Sequence, residues 1–165
     1  QQNGGHIGVH SEPGHGTSFT IYLPRVEAAA SSAVSENRAE LLAGGGETIL
    51  LVEDEAAVRT LARRILAAHG YRVIEAAGGN EALHRCRDAD AIHLVLTDVV
   101  MPGMNGPELV GCLRPILPRS KVLYMSGYAD SALDYFRQQG EGVPFLAKPF
   151  SPESLLRKIR EVLAA

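Results

Sequence analysis

No apolar run in the sequence approaches the roughly 18 residues that a membrane-spanning helix needs, so this segment is expected to make no membrane contact. The amino terminus also lacks the basic-then-apolar pattern of a secretory signal. Lys and Arg form no block and the net charge is −3, which argues against a nucleic-acid-binding surface. Cysteine is scarce: Cys86 and Cys112 both fall in helical patterns beside apolar neighbours. They read as small buried residues in a reducing compartment, in preference to a disulfide or a metal site. The segment is therefore expected in the cytoplasm, whatever membrane attachment the whole protein has. No Met opens the chain, which starts at Gln1 and reads as a piece of something longer.

What is present is ordinary for a globular chain, 45% apolar and 21% charged, with room in 165 residues for one domain and a modest extra piece. From Glu47 onward strands and helices alternate strictly. Strand candidates are Thr48–Glu53, Tyr71–Glu75, Leu94–Thr97, Val122–Met125 and Pro144–Ala147, with helical segments near 56–68, 79–87, 106–114, 131–139 and 152–164. Val58, Leu61, Ala62, Ile65 and Leu66 recur at helical spacing and predict one apolar face, stopped by Gly70. Asn105 and Glu108 stand at capping-box spacing with Pro107 in the first turn, and Ser151-Pro152 opens the last helix. The first, third, fourth and fifth strands are nearly continuous apolar runs, as a parallel sheet covered on both faces requires. The more mixed second strand suits an edge. The expected fold is an α/β, doubly wound five-stranded parallel sheet over residues 47–165.

Residues 4–23 read as a β-hairpin, Gly5–His10 and Thr17–Leu23 around a loop at 11–16. His6 and His10 share a strand face and His15 lies in the loop, but no Cys or carboxylate completes a metal-ligand set, so they read as exposed polar residues. Residues 25–46, rich in Ala, Ser and Glu and ending in Gly44-Gly45-Gly46, read as an interdomain linker in which 36–43 could form a turn or two of helix.

The strand ends carry the chemistry. The first ends in Glu53-Asp54, the third in Asp98, the fourth in Ser126 and the fifth in Lys148. Parallel strands put all their carboxyl ends on one edge, so these dispersed residues converge where open α/β sheets bind ligands. Three crowded carboxylates repel one another and invite a cation, and oxygen-only ligands with retained waters suit Mg²⁺. With that charge neutralised, Asp98 can act as a nucleophile and become an acyl phosphate. Lys148 and the hydroxyl of Ser126 would meet the phosphoryl oxygens.

Residues 47–165 resemble two-component receiver domains over their whole length. The resemblance rests on Leu51-Val52-Glu53-Asp54-Glu55, on Leu96-Thr97-Asp98-Val99-Val100-Met101-Pro102-Gly103-Met104-Asn105-Gly106, on Met125-Ser126-Gly127 and on Leu146-Ala147-Lys148-Pro149-Phe150. It implies that Asp98 is the phosphoacceptor, and that Asp54, Asp98 and the backbone carbonyl of Val100 ligate Mg²⁺ with Glu53 acting through a water. It also implies strand order 2-1-3-4-5, a cis Lys148-Pro149 bond, and a switch in which Ser126 moves toward the phosphoryl group while Phe145 turns inward. Simple core packing is the plainer reading of Phe145. Val100 and Tyr128 flank the site of hydrolysis, and an apolar Val100 cannot orient an attacking water, so a fairly long-lived phosphoryl-Asp98 is expected.

Residues 1–24 resemble the closing hairpin of histidine-kinase ATP-binding domains, with Gly5 and Gly14-x-Gly16-Thr17-x-Phe19 in place. The Asn and Asp-x-Gly motifs that hold Mg-ATP in that family have no counterpart here, so this chain is not expected to bind ATP. Together the two resemblances imply the carboxyl-terminal part of a hybrid sensor histidine kinase. Phosphate would come from a kinase dimerisation or phosphotransfer domain and pass on, in one route, to a histidine phosphotransfer protein. The outer face of the first helix, with Ala57, Thr60, Arg63 and Arg64, is a candidate docking surface. Two competitors are an aspartyl-phosphate phosphatase of haloacid dehalogenase type, which needs an Asp where Val100 stands, and a non-phosphorylated interaction module that keeps only the fold.

Overall fold

Strand Thr48–Val52 serves two faces at once. Its side chains alternate, Ile49 and Leu51 entering one apolar cluster with Leu66, Leu155 and Ile159, Leu50 and Val52 entering the other with Ala82 and Leu109. All five of its residues are buried. This is the frame of a sheet with helices on both sides, and a computed structural model describing residues 5–24, 45–87, 91–127 and 143–165 gives its layout.

The elements in chain order are β1 (His6–Glu12), β2 (Gly16–Tyr22), β3 (Thr48–Val52), α1 (Ala56–Ala68), β4 (Arg72–Ala76), α2 (Gly79–Arg85), β5 (Leu94–Asp98), α3 (Gly106–Leu113), β6 (Lys121–Ser126), β7 (Phe145–Ala147) and α4 (Pro152–Ala164). By its contacts the chain divides into two units, Gln1–Ser35 and Glu36–Ala165.

In the larger unit the sheet runs β4-β3-β5-β6-β7, all pairs parallel, which is the expected order 2-1-3-4-5. The mixed strand β4 is an edge, as its composition indicated. Helices α1 and α4 cover one face and α2 and α3 the other. Each fully buried Leu or Ile contributes about 1.5–3 kcal/mol of transfer free energy relative to exposure. Among the described residues no helix is long and apolar enough to cross a membrane.

Local signals set the helix ends. Asn105 and Ser151 each close a capping box, with Pro at the first turn of both helices. Gly70 follows α1 with φ of 86°, a left-handed conformation that glycine adopts without strain.

Several expectations need correction. Leu61, placed on the buried face of α1 by its spacing, is 52% exposed, so the buried stripe is Ala62, Ile65 and Leu66. Cys112 is exposed on α3, whereas Cys86 is buried. The second strand is shifted by one residue, because Tyr71 turns into the core ahead of Arg72–Ala76. The helix expected near 131–139, residues 36–43 and Tyr128 lie outside the described residues.

The smaller unit contains the hairpin β1–β2, antiparallel, with Ile7 opposite Ile21 and Val9 opposite Phe19. The turn is tighter than the sequence indicated, since the strands extend to Glu12 and from Gly16. One face carries Ile7, Val9, Phe19, Ile21 and Leu23, all more than half exposed.

A clasp ties the start of the sheet to the last helix. Arg160 donates to Glu47 Oε1 at 2.9 Å and lies over the Tyr71 ring at 5.5 Å. The Gly45 amide donates to Glu47 Oε2 at 2.6 Å. Burial pushes the Glu47 carboxyl up, but the backbone N–H groups and Arg160 outweigh it and hold it below its ordinary value. A depressed carboxylate stabilises the fold above its unfolded pKa, and that contribution is lost as pH falls through the folded value. Glu47→Gln is therefore expected to lower the unfolding free energy by about 1 kcal/mol at pH 7. In urea titrations the deficit should shrink toward zero as the pH drops through the carboxylate range; a constant deficit would count against the clasp.

Candidate functional site

The strand ends meet along one edge. Glu53 leaves β3 still tied to the sheet, its amide donating to the Ala76 carbonyl at 3.1 Å. Asp98 closes β5, and the next amide, of Val99, donates to Met125 on β6 at 2.9 Å. The Lys148 amide donates to the Ser126 carbonyl at 2.8 Å, which brings the residue after β7 against the end of β6. Asp54 and Asp98 thus stand beside the β3–β5 boundary, where the strand order reverses and such sheets open a crevice.

The side chains converge as well. Lys148 Nζ lies 2.5 Å from Glu53 Oε2 and 2.6 Å from Asp98 Oδ2, so one ammonium bridges two carboxylates. Asp98 Oδ1 accepts from the Val100 amide at 3.3 Å, and Glu53 Oε1 from the Glu55 amide at 3.4 Å. Glu53 is buried, Asp98 is 9% exposed and Asp54 is exposed. One oxygen from each of the three lies within 4.8 Å of the others. The donor set is all oxygen, partly buried and open to solvent through Asp54. It fits a hard divalent cation such as Mg²⁺.

Burial and pairing compete here. At Glu53 burial dominates and pushes the carboxyl up; Lys148 opposes it and the charge of Asp98 adds to it. At Lys148 burial alone would lower the ammonium, but the hydrogen bonds it donates to Asp98 and Glu53, with their charge, reverse that and raise it. Lys148 therefore stabilises the fold below its unfolded pKa and loses that contribution as pH rises through the folded value. Glu53 shifts in the unfavourable direction, because burial outweighs its pairing with Lys148.

Of the residues singled out in the sequence, Glu53, Asp54, Asp98 and Lys148 form one cluster. Ser126 is buried at the same edge, and Val100 is 63% exposed on the rim. Phe145 lies apart, packed beside Val110 and Tyr124 and only partly buried. Lys148-Pro149 is cis. His6 and His10 stay on the exposed hairpin and form no part of a metal cluster among the described residues.

Two contributors escaped the sequence reading. Gly106, at the start of α3, lies so close to the Asp98 carbonyl oxygen that a Cβ there would collide with it, and its amide donates to Val99 at 3.0 Å. Arg59, on α1, donates to the carbonyls of Glu53 and Asp54. The signal for Arg59 was a basic residue one turn into the helix that follows the acid pair.

Residues 49–160 match the family described as the response regulator receiver domain. The sensor kinase CckA of Brucella abortus is 41% identical over 99% of this chain, which spans 18% of that protein's length. The response regulator receiver protein CpdR of the same organism is 33% identical, with 97% of its length covered by 71% of this chain. Among solved structures, the receiver domain of the hybrid histidine kinase CckA superposes with a TM-score of 0.60 at 41% identity, over 70% of this chain and 98% of that one. The chemotaxis protein CheY4 of Vibrio cholerae gives 0.65 at 28% identity, over 72% and 99%.

Removing Lys148 strands two carboxylates. Lys148→Met is expected to lose about 3 kcal/mol of unfolding free energy at pH 7. The loss should diminish in acid, where protonation of Glu53 removes the orphaned charge. Gly106→Ala should lose about 1–3 kcal/mol by forcing the Asp98 loop off its strand, read as a lower midpoint in urea.

Proposed function

The chain belongs to the response regulator receiver family, and from that premise we propose that Asp98 accepts a phosphoryl group from a phosphohistidine, as the receiver of a hybrid sensor histidine kinase. The observation that carries this reading is the single ammonium of Lys148 bridging Asp98 and Glu53 beside an exposed Asp54.

In the proposed reaction an Asp98 carboxylate oxygen attacks phosphorus and the P–N bond to the donor imidazole breaks. The electron pair returns to the ring nitrogen, which takes up a proton from solvent, and Asp98 becomes an acyl phosphate. Asp54, Asp98 and the Val100 carbonyl would hold Mg²⁺, with Glu53 acting through a water. Bound Mg²⁺ supplies positive charge that lets two negative groups approach. Lys148 turns its ammonium to the phosphoryl oxygens, and the Ser126 hydroxyl donates a further hydrogen bond. Phe145, half-buried beside Tyr124, is the proposed packing switch. Val100 offers an exposed isopropyl group and no acceptor for a hydrolytic water, which supports a long-lived acyl phosphate.

The wider origin rests on the relatives. The alignment with CckA extends through the hairpin, and the open apolar face of β1–β2 suits the edge of a larger kinase domain. Residues 1–24 are thus proposed as the end of an ATP-binding domain, 25–46 as linker and 47–165 as the receiver, in the cytoplasm. The partners are a kinase dimerisation domain and, onward, a histidine phosphotransfer protein. An apolar groove of about 430 Å³ beside the acid cluster, lined by Val58, Leu61, Pro149 and Phe150 among others, supports docking along α1. It extends the surface of Ala57, Thr60, Arg63 and Arg64 to include the exposed Leu61. The phosphatase alternative is disfavoured by Val100 standing where that chemistry needs a second Asp.

Incubation with acetyl phosphate and Mg²⁺ should add one phosphoryl group to the intact mass, lost in Asp98→Ala and decaying over minutes or longer. No gain in a folded protein would favour an inert interaction module, and loss within seconds would overturn the proposed role of Val100. Leu61→Asp should slow transfer from a phosphorylated kinase roughly tenfold, equivalent to about 1.4 kcal/mol of interface energy. Labelling by acetyl phosphate should be unchanged.

A further inference from the structure

Asp54 must present its carboxylate from a short, exposed turn between β3 and α1. Helix α1 opens there with Glu55 as its N-cap, and no side chain caps it. Besides the Glu55 amide's bond to Glu53 Oε1 at 3.4 Å, order in the turn comes from Arg59. Its backbone amide donates to the Glu55 carbonyl at 2.9 Å, fixing it in the first helical turn. Its side chain folds back so that a single nitrogen, Nη1, donates to Glu53 O at 2.6 Å and to Asp54 O at 3.3 Å.

Those two carbonyls belong to the peptide units on either side of the Asp54 Cα. Holding both fixes the two planes that meet at that carbon, and with them the direction of its Cα–Cβ bond. We infer that Arg59 is a positioning residue for divalent-cation binding: it aims Asp54 at the cluster by clamping the backbone on both sides of it. The inference rests on the reading of Glu53, Asp54 and Asp98 as a cation site. A planar guanidinium suits the task, because Nη1 carries two hydrogens fixed in one plane, one for each carbonyl, whereas the ammonium of Lys is a freely rotating point charge on a flexible stem.

Clamping and simple electrostatics predict opposite signs. Arg59 puts a positive charge near the acid pair, so neutralising it by charge alone would tighten cation binding. Loss of a clamp weakens it, and outer-shell groups of this kind are typically worth 10–100-fold in metal affinity.

The test is titration of the full chain with Mg²⁺, followed through the backbone amide resonances of residues 53–55, for wild type, Arg59→Lys, Arg59→Gln and Asp54→Asn. Arg59→Lys keeps the charge and the helix, and is expected to bind Mg²⁺ about tenfold more weakly. Arg59→Gln should bind at least as weakly, with amide shifts in metal-free protein confined to the 53–59 turn. Unchanged affinity in Arg59→Lys with tighter binding in Arg59→Gln would overturn the clamp and leave Arg59 only its charge. Weaker binding with shifts spread across the sheet would also overturn it, as general loosening. A wild type that shows no Mg²⁺-dependent shift, like Asp54→Asn, would remove the cation site itself.

Discussion

Like charges at one edge of a parallel sheet are the constraint around which this domain is arranged. Glu53 and Asp98 are carboxylates removed from most of their water, and burial alone works against the charged form of Glu53. The ammonium of Lys148, within 2.6 Å of both, makes their coexistence possible. In the proposed reaction the same ammonium would also serve the chemistry, since a charge that balances two carboxylates can turn to an incoming phosphoryl group instead. On that reading, stability and chemistry share one side chain.

Everything beneath that edge keeps the three groups in register. Strand β3 is buried on both faces, and its neighbours β4 and β5 pair with it residue for residue. Sliding β5 by a single position would turn Asp98 to the opposite face of the sheet and send Leu94, Val95 and Leu96 into the wrong apolar clusters. The two apolar clusters therefore act as a ruler for the polar edge. Gly106 adds a local constraint, holding the following loop against the Asp98 backbone where no side chain could fit.

Much of this was legible in the sequence because its causes are periodic or local. The alternation of strands and helices, the caps at Asn105 and Ser151 and the strand-end residues all follow from short-range patterns. What escaped depends on geometry that periodicity does not encode. Leu61 falls at an apolar spacing, yet it lies at the margin of α1's buried stripe of Ala62, Ile65 and Leu66 and is half exposed. Cys112 lies between the buried Val110 and Leu113 in the sequence but, like Gly111, falls on the exposed side of α3. Arg59 carried no role in the sequence reading, and only the fold shows its side chain returning to the carbonyls behind it. The resemblance to receivers supplied the strand order and the cis bond, which spacing alone does not dictate.

Glu53 and Lys148 are separated by 95 positions in the chain, yet share a single hydrogen bond. A chain emerging from the ribosome carries its acid pair long before the lysine exists, and closing so long a loop comes late in assembly. Until β7 docks beside β6, Asp98 is one of several crowded carboxylates with no cationic side chain between them. On the proposed reading, the acceptor Asp98 meets its ammonium only when the last strand is in place.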